Sequence, residues 1–301
     1  MLPLNRRKFI TQASTAVGAT VLLSAPLVGS ALDLFRSDGP VTVGQVMDAF
    51  IHEIPGAPFA STVDTLKAGN RNIEITGMVT TMFATIAVIR KAIELGANFI
   101  VAHEPTFYNH TDATAWLEDD AVYRYKADLL KQHNIAVWRN HDYIHSMRPD
   151  GVRKGVVDQL GWQEYGDPGQ PVYNLTAPLA LRELIGVLKE RLNIPGVRYI
   201  GDLDRSCGKV LLMPGAAGGM AQIKGIGLYK PDVLVCGEIS EWETAEYVRD
   251  ADASGQSLCL VLLGHIASEE PGSAFMETWL KGKFPGVKTT HVASGNSLAF
   301  L

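Results

Sequence analysis

The chain has 301 residues, of which 47% are hydrophobic and 20% are charged, and this globular composition excludes a collagen-like, low-complexity or wholly disordered protein. The formal net charge is −5, from 27 basic and 32 acidic residues. The first 31 residues hold three of the basic residues and no acidic one, so the remainder is more acidic still, and we expect no nucleic-acid partner attracted by net charge.

The first element in chain order is a predicted export signal. Residues 5–10 contain the pair Arg6 and Arg7, and no charged residue occurs from 9 to 32. This pattern resembles a twin-arginine signal peptide, and small residues near Ala31 suit a cleavage site. We expect residues 1–31 to be removed, leaving an exported, periplasmic or extracellular protein that does not associate with a membrane. An uncleaved membrane anchor is the alternative.

The rest of the chain alternates strand and helix patterns, which indicates an α/β fold. The predicted strands are 72–80, 98–102, 135–138, 210–213, 233–236 and 258–263. The predicted helices are 84–95, 113–133, 178–192, 217–228, 242–253 and 271–281. The irregular stretch 164–176 is a predicted linker, so residues 32–301 are expected to form lobes of about 32–165 and 166–301.

An internal repeat of low identity supports two related lobes. When residue 98 is placed on residue 232, a strand, a helix and a second strand of the first half fall on the same elements of the second half. A shared order of elements with equal spacing is typical of a duplicated unit. We therefore predict two related strand–helix–strand lobes packed as one body.

Imidazole and carboxyl side chains follow four of the predicted strands. They are His103, Glu104, His141, Asp142, His145, Glu238, His265 and Glu269. In parallel sheets, ligands bind at the carboxyl ends of the strands. Histidine and carboxylate together suit Zn, Mn, Fe, Co or Ni. So many ligands favour two divalent ions bridged by a carboxylate over one tetrahedral ion.

Each of these groups also has an ordinary structural interpretation. Glu269 could cap a helix that begins near Pro271, and the other groups could belong to strand ends and loops. The glycine-rich stretch 214–219 could approach a phosphate through its backbone or could be a tight turn. The remaining histidines are expected to be structural: His52, His110, His133 and His291.

Four segments resemble the Nif-three-like family of dinuclear-metal proteins, many of whose members carry the label GTP cyclohydrolase I type 2. The segments are 75–103, 140–145, 232–240 and 264–272. The resemblance implies a two-lobed α/β fold, two bound divalent metal ions and a homo-oligomer, often a ring-like hexamer.

The sequence departs from the family pattern at two ligand positions. Glu104 stands where the family usually has the second histidine of a pair, and His145 stands where it has an aspartate. The exchange keeps three imidazoles and two carboxylates. The resemblance therefore implies the metal ligands His103, Glu104, His145, His265 and Glu269, with Glu238 behind the ligands or acting as a general base. A site that binds one metal or none is the alternative, and Asp142 is a second candidate for the missing aspartate.

Together these features predict an exported, divalent-metal-binding protein. Its candidate activity is metal-dependent hydrolysis of an unidentified small substrate that is phosphorylated or nucleotide-like. No Gly-x-Ser-x-Gly motif is present, which disfavours a serine hydrolase. GTP itself is not an expected substrate, because an exported protein would meet little of it. A non-catalytic metal-binding or scaffolding ring is the alternative.

Overall fold

The strands form two five-stranded sheets flanked by helices, which confirms the predicted α/β fold class. The coordinates are a computed structural model that describes residues 39–299. The predicted signal peptide, residues 1–31, lies outside the described residues. Within the described range, no helix is both long and apolar enough to cross a membrane.

The ten strands are β1 Leu66–Ala68, β2 Met78–Thr81, β3 Phe99–Ala102, β4 Ala136–Arg139, β5 Val172–Ala180, β6 Arg198–Ile200, β7 Ser206–Met213, β8 Val233–Cys236, β9 Cys259–Leu262 and β10 Thr289–His291. The α-helices are α1 Val43–His52, α2 Ile86–Glu94, α3 Ala121–Gln132, α4 Asp142–Ser146, α5 Gly151–Leu160, α6 Leu181–Leu192, α7 Gly219–Tyr229, α8 Glu246–Ala253 and α9 His265–Lys283. Short 3₁₀ and π segments cover Ala115–Leu117 and Glu241–Ala245.

The two sheets share one arrangement of strands. The first has the order β1-β4-β3-β2-β10, and the second, taken from its opposite edge, has β6-β9-β8-β7-β5. In each, an antiparallel edge strand is followed by three parallel strands in reverse chain order. This matches the two related strand–helix–strand units predicted from the repeat. The first sheet takes β10 from the end of the chain, and the lobe boundary near residue 165 stays a prediction.

The central strands are apolar because they are covered on both faces. Every residue of β2, β3, β4, β8 and β9 is buried, as expected for parallel strands with helices on each side. Helix α2 packs one apolar stripe, Val88, Ile89 and Ala92, against the first sheet. Thr85 caps its start by accepting a hydrogen bond from the backbone of Val88.

Two predicted helices have different boundaries because polar side chains and sheet pairing override the helical pattern. The helix predicted at 113–133 is interrupted, and α3 begins only at Ala121, where the Asp120 side chain accepts from the Tyr123 N–H. The helix predicted from residue 178 begins at Leu181. The preceding residues form β5, an edge strand, and an edge position tolerates Pro178.

The last long helix, α9, begins at His265 rather than at the predicted residue 271. Pro271 lies inside the helix and does not start it. The prediction that Glu269 could be a capping residue is therefore wrong, because this side chain lies one full turn inside the helix. Earlier in the chain, the strand predicted over 72–80 is reduced to β2, which covers Met78–Thr81.

Candidate metal centre

The carboxyl ends of β3 and β4 meet the start of α9, and this junction positions the candidate ligands. The backbone pairing between β3 and its neighbour β2 continues past the end of β3. The His103 N–H donates to the Thr81 carbonyl at 3.1 Å, and the Glu104 N–H donates to the Met82 carbonyl at 2.9 Å. Both side chains are buried. These two residues are therefore held by regular backbone hydrogen bonds and not by a loose turn.

Helix α9 carries His265 and Glu269 on one face. They are four residues apart, and this spacing places two side chains one above the other on an α-helix. The distance from His265 Nε2 to Glu269 Oε2 is 3.0 Å. Gly264 precedes the helix with a φ of +91°, a conformation that favours glycine, and it allows the chain to turn from β9 directly into α9.

The Glu269 carboxylate lies between three imidazoles. Its Oε2 is 3.3 Å from His103 Nε2 and 3.0 Å from His265 Nε2, and its Oε1 is 3.9 Å from His145 Nε2. Glu269 is only 4% exposed. The structure thus brings His265, a candidate ligand that follows the last strand of the second sheet, together with candidate ligands that follow strands of the first sheet.

The Glu104 carboxylate uses its two oxygens differently. Oε1 is 3.2 Å from His265 Nε2 and 3.7 Å from His141 Nε2, whereas Oε2 accepts a hydrogen bond from the Arg139 guanidinium at 3.2 Å. All five predicted ligands, His103, Glu104, His145, His265 and Glu269, are therefore found in one cluster.

His141 also belongs to this cluster, although the sequence left it open as a loop histidine. The ring centroids of His103, His141 and His145 are 4.9 to 5.1 Å from one another. One nitrogen from each ring lies within 4.8 Å of the others, and so do ligand atoms of His103, Glu104 and Glu269. The sequence signal for His141 was its place shortly after β4, in the segment 140–145.

Each of the four imidazoles has an acceptor on its Nδ1, so its Nε2 is the nitrogen that faces the cluster. The acceptors are Asn140 O for His103 at 3.2 Å, Asp142 Oδ1 for His141 at 3.0 Å, Asp150 Oδ2 for His145 at 3.0 Å and Glu238 Oε1 for His265 at 3.0 Å. Such partners fix the tautomer and orientation of metal-binding histidines. Asp142 and Glu238 therefore lie behind imidazoles.

Asp64 was not predicted, and it holds the segment that carries two of the histidines. Its buried carboxylate accepts the backbone N–H groups of His141, Asp142 and Tyr143 at 2.7 to 3.0 Å. Burial raises the pKa of this carboxyl, against the lowering effect of the three N–H donors. No motif near Asp64 indicates this role, because its partners lie more than 75 residues further along the chain.

The glycine-rich stretch 214–219 forms a tight turn that packs against the candidate metal centre. The Gly215 N–H donates to Ser268 Oγ at 2.9 Å, so it is not free for a phosphate. Gly215 has a φ of +66°, and a Cβ at this position would lie 2.1 Å from Glu269 Oε1. Because residue 215 has no side chain, the Glu269 carboxylate has room beside it.

A cavity of about 1040 Å³ opens onto the cluster. His141, His145 and His265 line it together with Glu104 and Glu269. Apolar side chains form other parts of its wall, among them Phe83, Ile86, Leu212 and Met213. Of the histidines that were expected to be structural, His110 also lines this cavity. His291 instead lies 2.8 Å from the Glu270 carboxylate. The centre is therefore accessible to a small molecule.

Comparison with known proteins identifies the family of this fold. The family model described as DUF34/NIF3 (NGG1p interacting factor 3) matches residues 51–297. The chain belongs to the DUF34/NIF3 family. This confirms the resemblance inferred from the four sequence segments.

Relatives of this DUF34/NIF3 protein extend over most of the chain. A Clostridium acetobutylicum protein named GTP cyclohydrolase 1 type 2 homolog is 23% identical over 249 residues, which cover 77% of this chain and 87% of the relative. The Staphylococcus aureus protein SA1388 superposes with a TM-score of 0.70 at 19% identity, over 87% of this chain and 100% of the other. A Bacillus cereus protein related to NIF3 superposes with a TM-score of 0.69 at 17% identity, over 88% and 100% of the two chains. These structures share the NIF3 fold.

The charges in the cluster of this NIF3 protein favour ionised carboxylates. Burial alone would raise the pKa of Glu269, but His103 and His265 hold it far below its usual range, and His265 and its neighbours likewise lower the pKa of Glu104. Burial lowers the pKa of His265, yet Glu104 and Glu269 outweigh it and raise this pKa to about 10. Two ionised carboxylates that face the same imidazoles suit a cation.

His141 has the opposite shift. Burial and the neighbouring His103 and His145 lower its pKa to about 4, so its imidazole is neutral near pH 7. A neutral imidazole is the form that binds a metal. Moreover, His103 Nε2 is buried and makes no well-directed hydrogen bond with the described residues, although a carboxylate oxygen lies 3.3 Å away. A set of ionised carboxylates and imidazoles, some of which an incoming ion must deprotonate, therefore fits a divalent metal.

Proposed function

We propose that this NIF3 protein binds two divalent metal ions and uses them to hydrolyse a small substrate that is phosphorylated or nucleotide-like. The observation that carries the proposal is the position of Glu269, whose two oxygens face three imidazoles on different elements. A carboxylate placed between two groups of ligands is suited to bridge two ions. Both carboxylates of the cluster are held ionised, as metal ligands must be.

The residues divide into two groups around Glu269. His103, His141 and His145 would hold one ion, and Glu104 and His265 would hold the other, because these are the sets whose ligand atoms face one another. Zn, Mn, Fe, Co and Ni all accept such nitrogen and oxygen ligands. Bound ions of this kind supply Lewis-acid polarisation and a water of lowered pKa.

The protein's own side chains orient and shield this centre. Glu238 is 55% exposed at its side chain, accepts a hydrogen bond from His265 Nδ1 and is absent from the described cavity wall. Its position favours orientation of His265 over action as a general base. The apolar part of the wall, including Phe83 and Ile86, excludes water from one side of a bound molecule.

The metal proposal is tested by elemental analysis after reconstitution with each candidate ion. Two equivalents per chain are expected in the unmodified protein, and close to none in Glu269→Gln. The matched control is Glu270→Gln, because Glu270 is the neighbouring, partly buried carboxylate but bonds to His291 and Ser294 outside the cluster. Less than one equivalent in the unmodified protein would contradict the proposal.

The hydrolytic activity is tested with a panel of phosphate monoesters, phosphodiesters and nucleotides, each with and without added metal. Turnover is expected only with metal, and is expected to survive in Glu270→Gln but not in Glu269→Gln. A protein that binds two ions yet turns over no member of the panel would favour the non-catalytic metal-binding or scaffolding alternative.

We also propose export through residues 1–31 and assembly of the mature chains into a homo-oligomer. Replacement of both Arg6 and Arg7 by lysine should retain the protein in the cytoplasm if the segment is a twin-arginine signal. Light scattering of the purified mature protein measures the number of chains, and a mass of one chain would exclude the oligomer.

A further inference from the structure

The cavity wall contains a buried lysine that the proposed metal chemistry does not use. Lys126, on α3, is only 4% exposed. Its Nζ donates a hydrogen bond to the Thr106 carbonyl at 2.6 Å. An ammonium has three N–H donors, so this contact leaves two of them without a protein acceptor among the described residues.

No carboxylate neutralises this ammonium at close range. Within residues 39–299, no carboxylate oxygen lies within 4.0 Å of Lys126 Nζ. Asp112 is the acidic residue that acts on it electrostatically, and Asp112 is itself paired with Lys67 at 3.2 Å and Arg139 at 3.5 Å. Burial lowers the pKa of Lys126 to about 8, which reflects this missing partner.

Two aromatic rings surround Lys126 without replacing a counter-charge. Its Nζ is 5.7 Å from the centroid of the Phe107 ring and 5.2 Å from that of Tyr108. Tyr108 is about half exposed, has a φ of +64° and lines the cavity together with Lys126. A non-glycine residue in this conformation is uncommon and is found where surrounding structure holds it.

Lys126 is close to the metal centre along a short piece of backbone. Its acceptor, Thr106, is two residues after the candidate ligand Glu104, a span of roughly 7 Å at most in an extended chain. Glu104, Thr106 and Lys126 all line the same cavity. A molecule in the cavity could therefore contact the centre and the lysine at once.

We propose that Lys126 binds an anionic group, phosphate or carboxylate, of a small molecule whose apolar part lies against Phe83 and Ile86. The inference rests on the proposed function only in its naming of the substrate class. It assigns that substrate a negative charge at the Lys126 end of the cavity. An incoming anion would accept from the two unused N–H donors and neutralise a charge that is otherwise buried alone.

A purely structural role for Lys126 makes a different prediction for anion binding. Lys126→Met removes both the ammonium and its hydrogen bond to the Thr106 carbonyl, so the melting temperature alone does not separate the two roles. If Lys126 serves a ligand, the variant should bind an anion more weakly than the unmodified protein does. If Lys126 serves only the fold, the folded variant should bind the anion equally well.

The test is a calorimetric titration of chelator-treated, metal-free protein at pH 7 with inorganic phosphate and, separately, with acetate. We compare the unmodified protein with Lys126→Met and with Lys131→Met, a matched control at an exposed lysine of the same helix. At least one anion is expected to bind about tenfold more weakly to Lys126→Met and equally well to Lys131→Met. The anion with the larger difference identifies phosphate or carboxylate as the ligand group.

Two results would overturn the proposal: no binding of either anion by the unmodified protein, or equal binding by Lys126→Met. These measurements contain no metal and no turnover. Failure of the metal or hydrolysis proposal is therefore seen in different experiments and leaves this result unchanged.

Discussion

Arg139 donates a hydrogen bond to Glu104 Oε2 at 3.2 Å, and its side chain is completely buried beneath the cluster. The other oxygen of Glu104 is thereby directed to His265. The resemblance implies that Glu104 stands where the Nif-three-like pattern has a histidine, so we expect the guanidinium to compensate for the added negative charge. We therefore expect Arg139 to position this carboxylate.

Replacement of Arg139 by lysine should weaken metal binding. Lysine keeps the charge but loses the planar fork that holds Glu104. Loss of a group that orients a ligand typically lowers metal affinity about 10- to 100-fold. A competition titration against a chelator measures the effect. Lys67→Met is the matched control, because Lys67 shares Asp112 with Arg139 but makes no described contact with Glu104. Equal losses in the two variants would argue against a specific role for Arg139.

Replacement of Gly215 by alanine should disturb the centre through Glu269. The new Cβ would lie 2.1 Å from Glu269 Oε1, so the carboxylate must move away from the imidazoles. Gly218→Ala is the control, because it has the same positive-φ cost, on the order of 1 kcal/mol, but nothing within 4 Å of its Cβ. Chelator titration should show weaker metal binding only in Gly215→Ala. Similar affinities in both variants would mean that Glu269 can relax without loss.

Replacement of His141 by glutamine should remove about one of two metal equivalents. His141 faces His103 and His145, and its low pKa keeps it neutral at pH 7. His133→Gln is a suitable control, because His133 is an exposed residue at the end of α3. Elemental analysis of both variants gives the answer. Two full equivalents in His141→Gln would show that this imidazole only packs beside the ligands.

Metal binding should strengthen as the pH rises from 6 to 9. In the metal-free protein, the pKa of His265 is raised to about 10, so its imidazole carries a proton that an incoming ion must displace. Each displaced proton makes the apparent affinity rise about tenfold per pH unit. Titrations at several pH values check this slope. A pH-independent affinity would contradict a protonated His265 in the metal-free state.

The raised pKa of His265 also affects the stability of the metal-free protein, which should fall as the pH rises. The folded-state pKa of His265 lies above its unfolded value near 6.5. Its stabilising contribution is therefore fully present below pH 6.5 and is lost as the pH rises towards 10. Denaturant unfolding of metal-free protein should show this decline, and His265→Gln should reduce it. An equal decline in the variant would assign it to other groups.

Local sequence predicted the framework because its signals are short-range. The strands β3, β8 and β9 are continuous apolar runs. Helix α2 begins after Thr85, whose side chain accepts a hydrogen bond from the Val88 N–H only three residues later. By contrast, β5 is an exposed edge strand with a proline, and its pairing with β7 depends on residues far along the chain. Pattern alone therefore extended the following helix too far towards its N-terminus.

The sequence by itself determined which side chains end the parallel strands, and therefore that imidazoles and carboxylates meet at one edge. Only the tertiary structure decided that His141 joins them. It also decided that Asp142 and Glu238 accept hydrogen bonds from imidazoles of the cluster. The contacts of Asp64 with the His141 backbone and of Arg139 with Glu104 likewise depend on the tertiary structure. The reason is physical: strand ends follow from local apolar runs, whereas the facing atoms of a site are set by packing between segments that are distant in the chain.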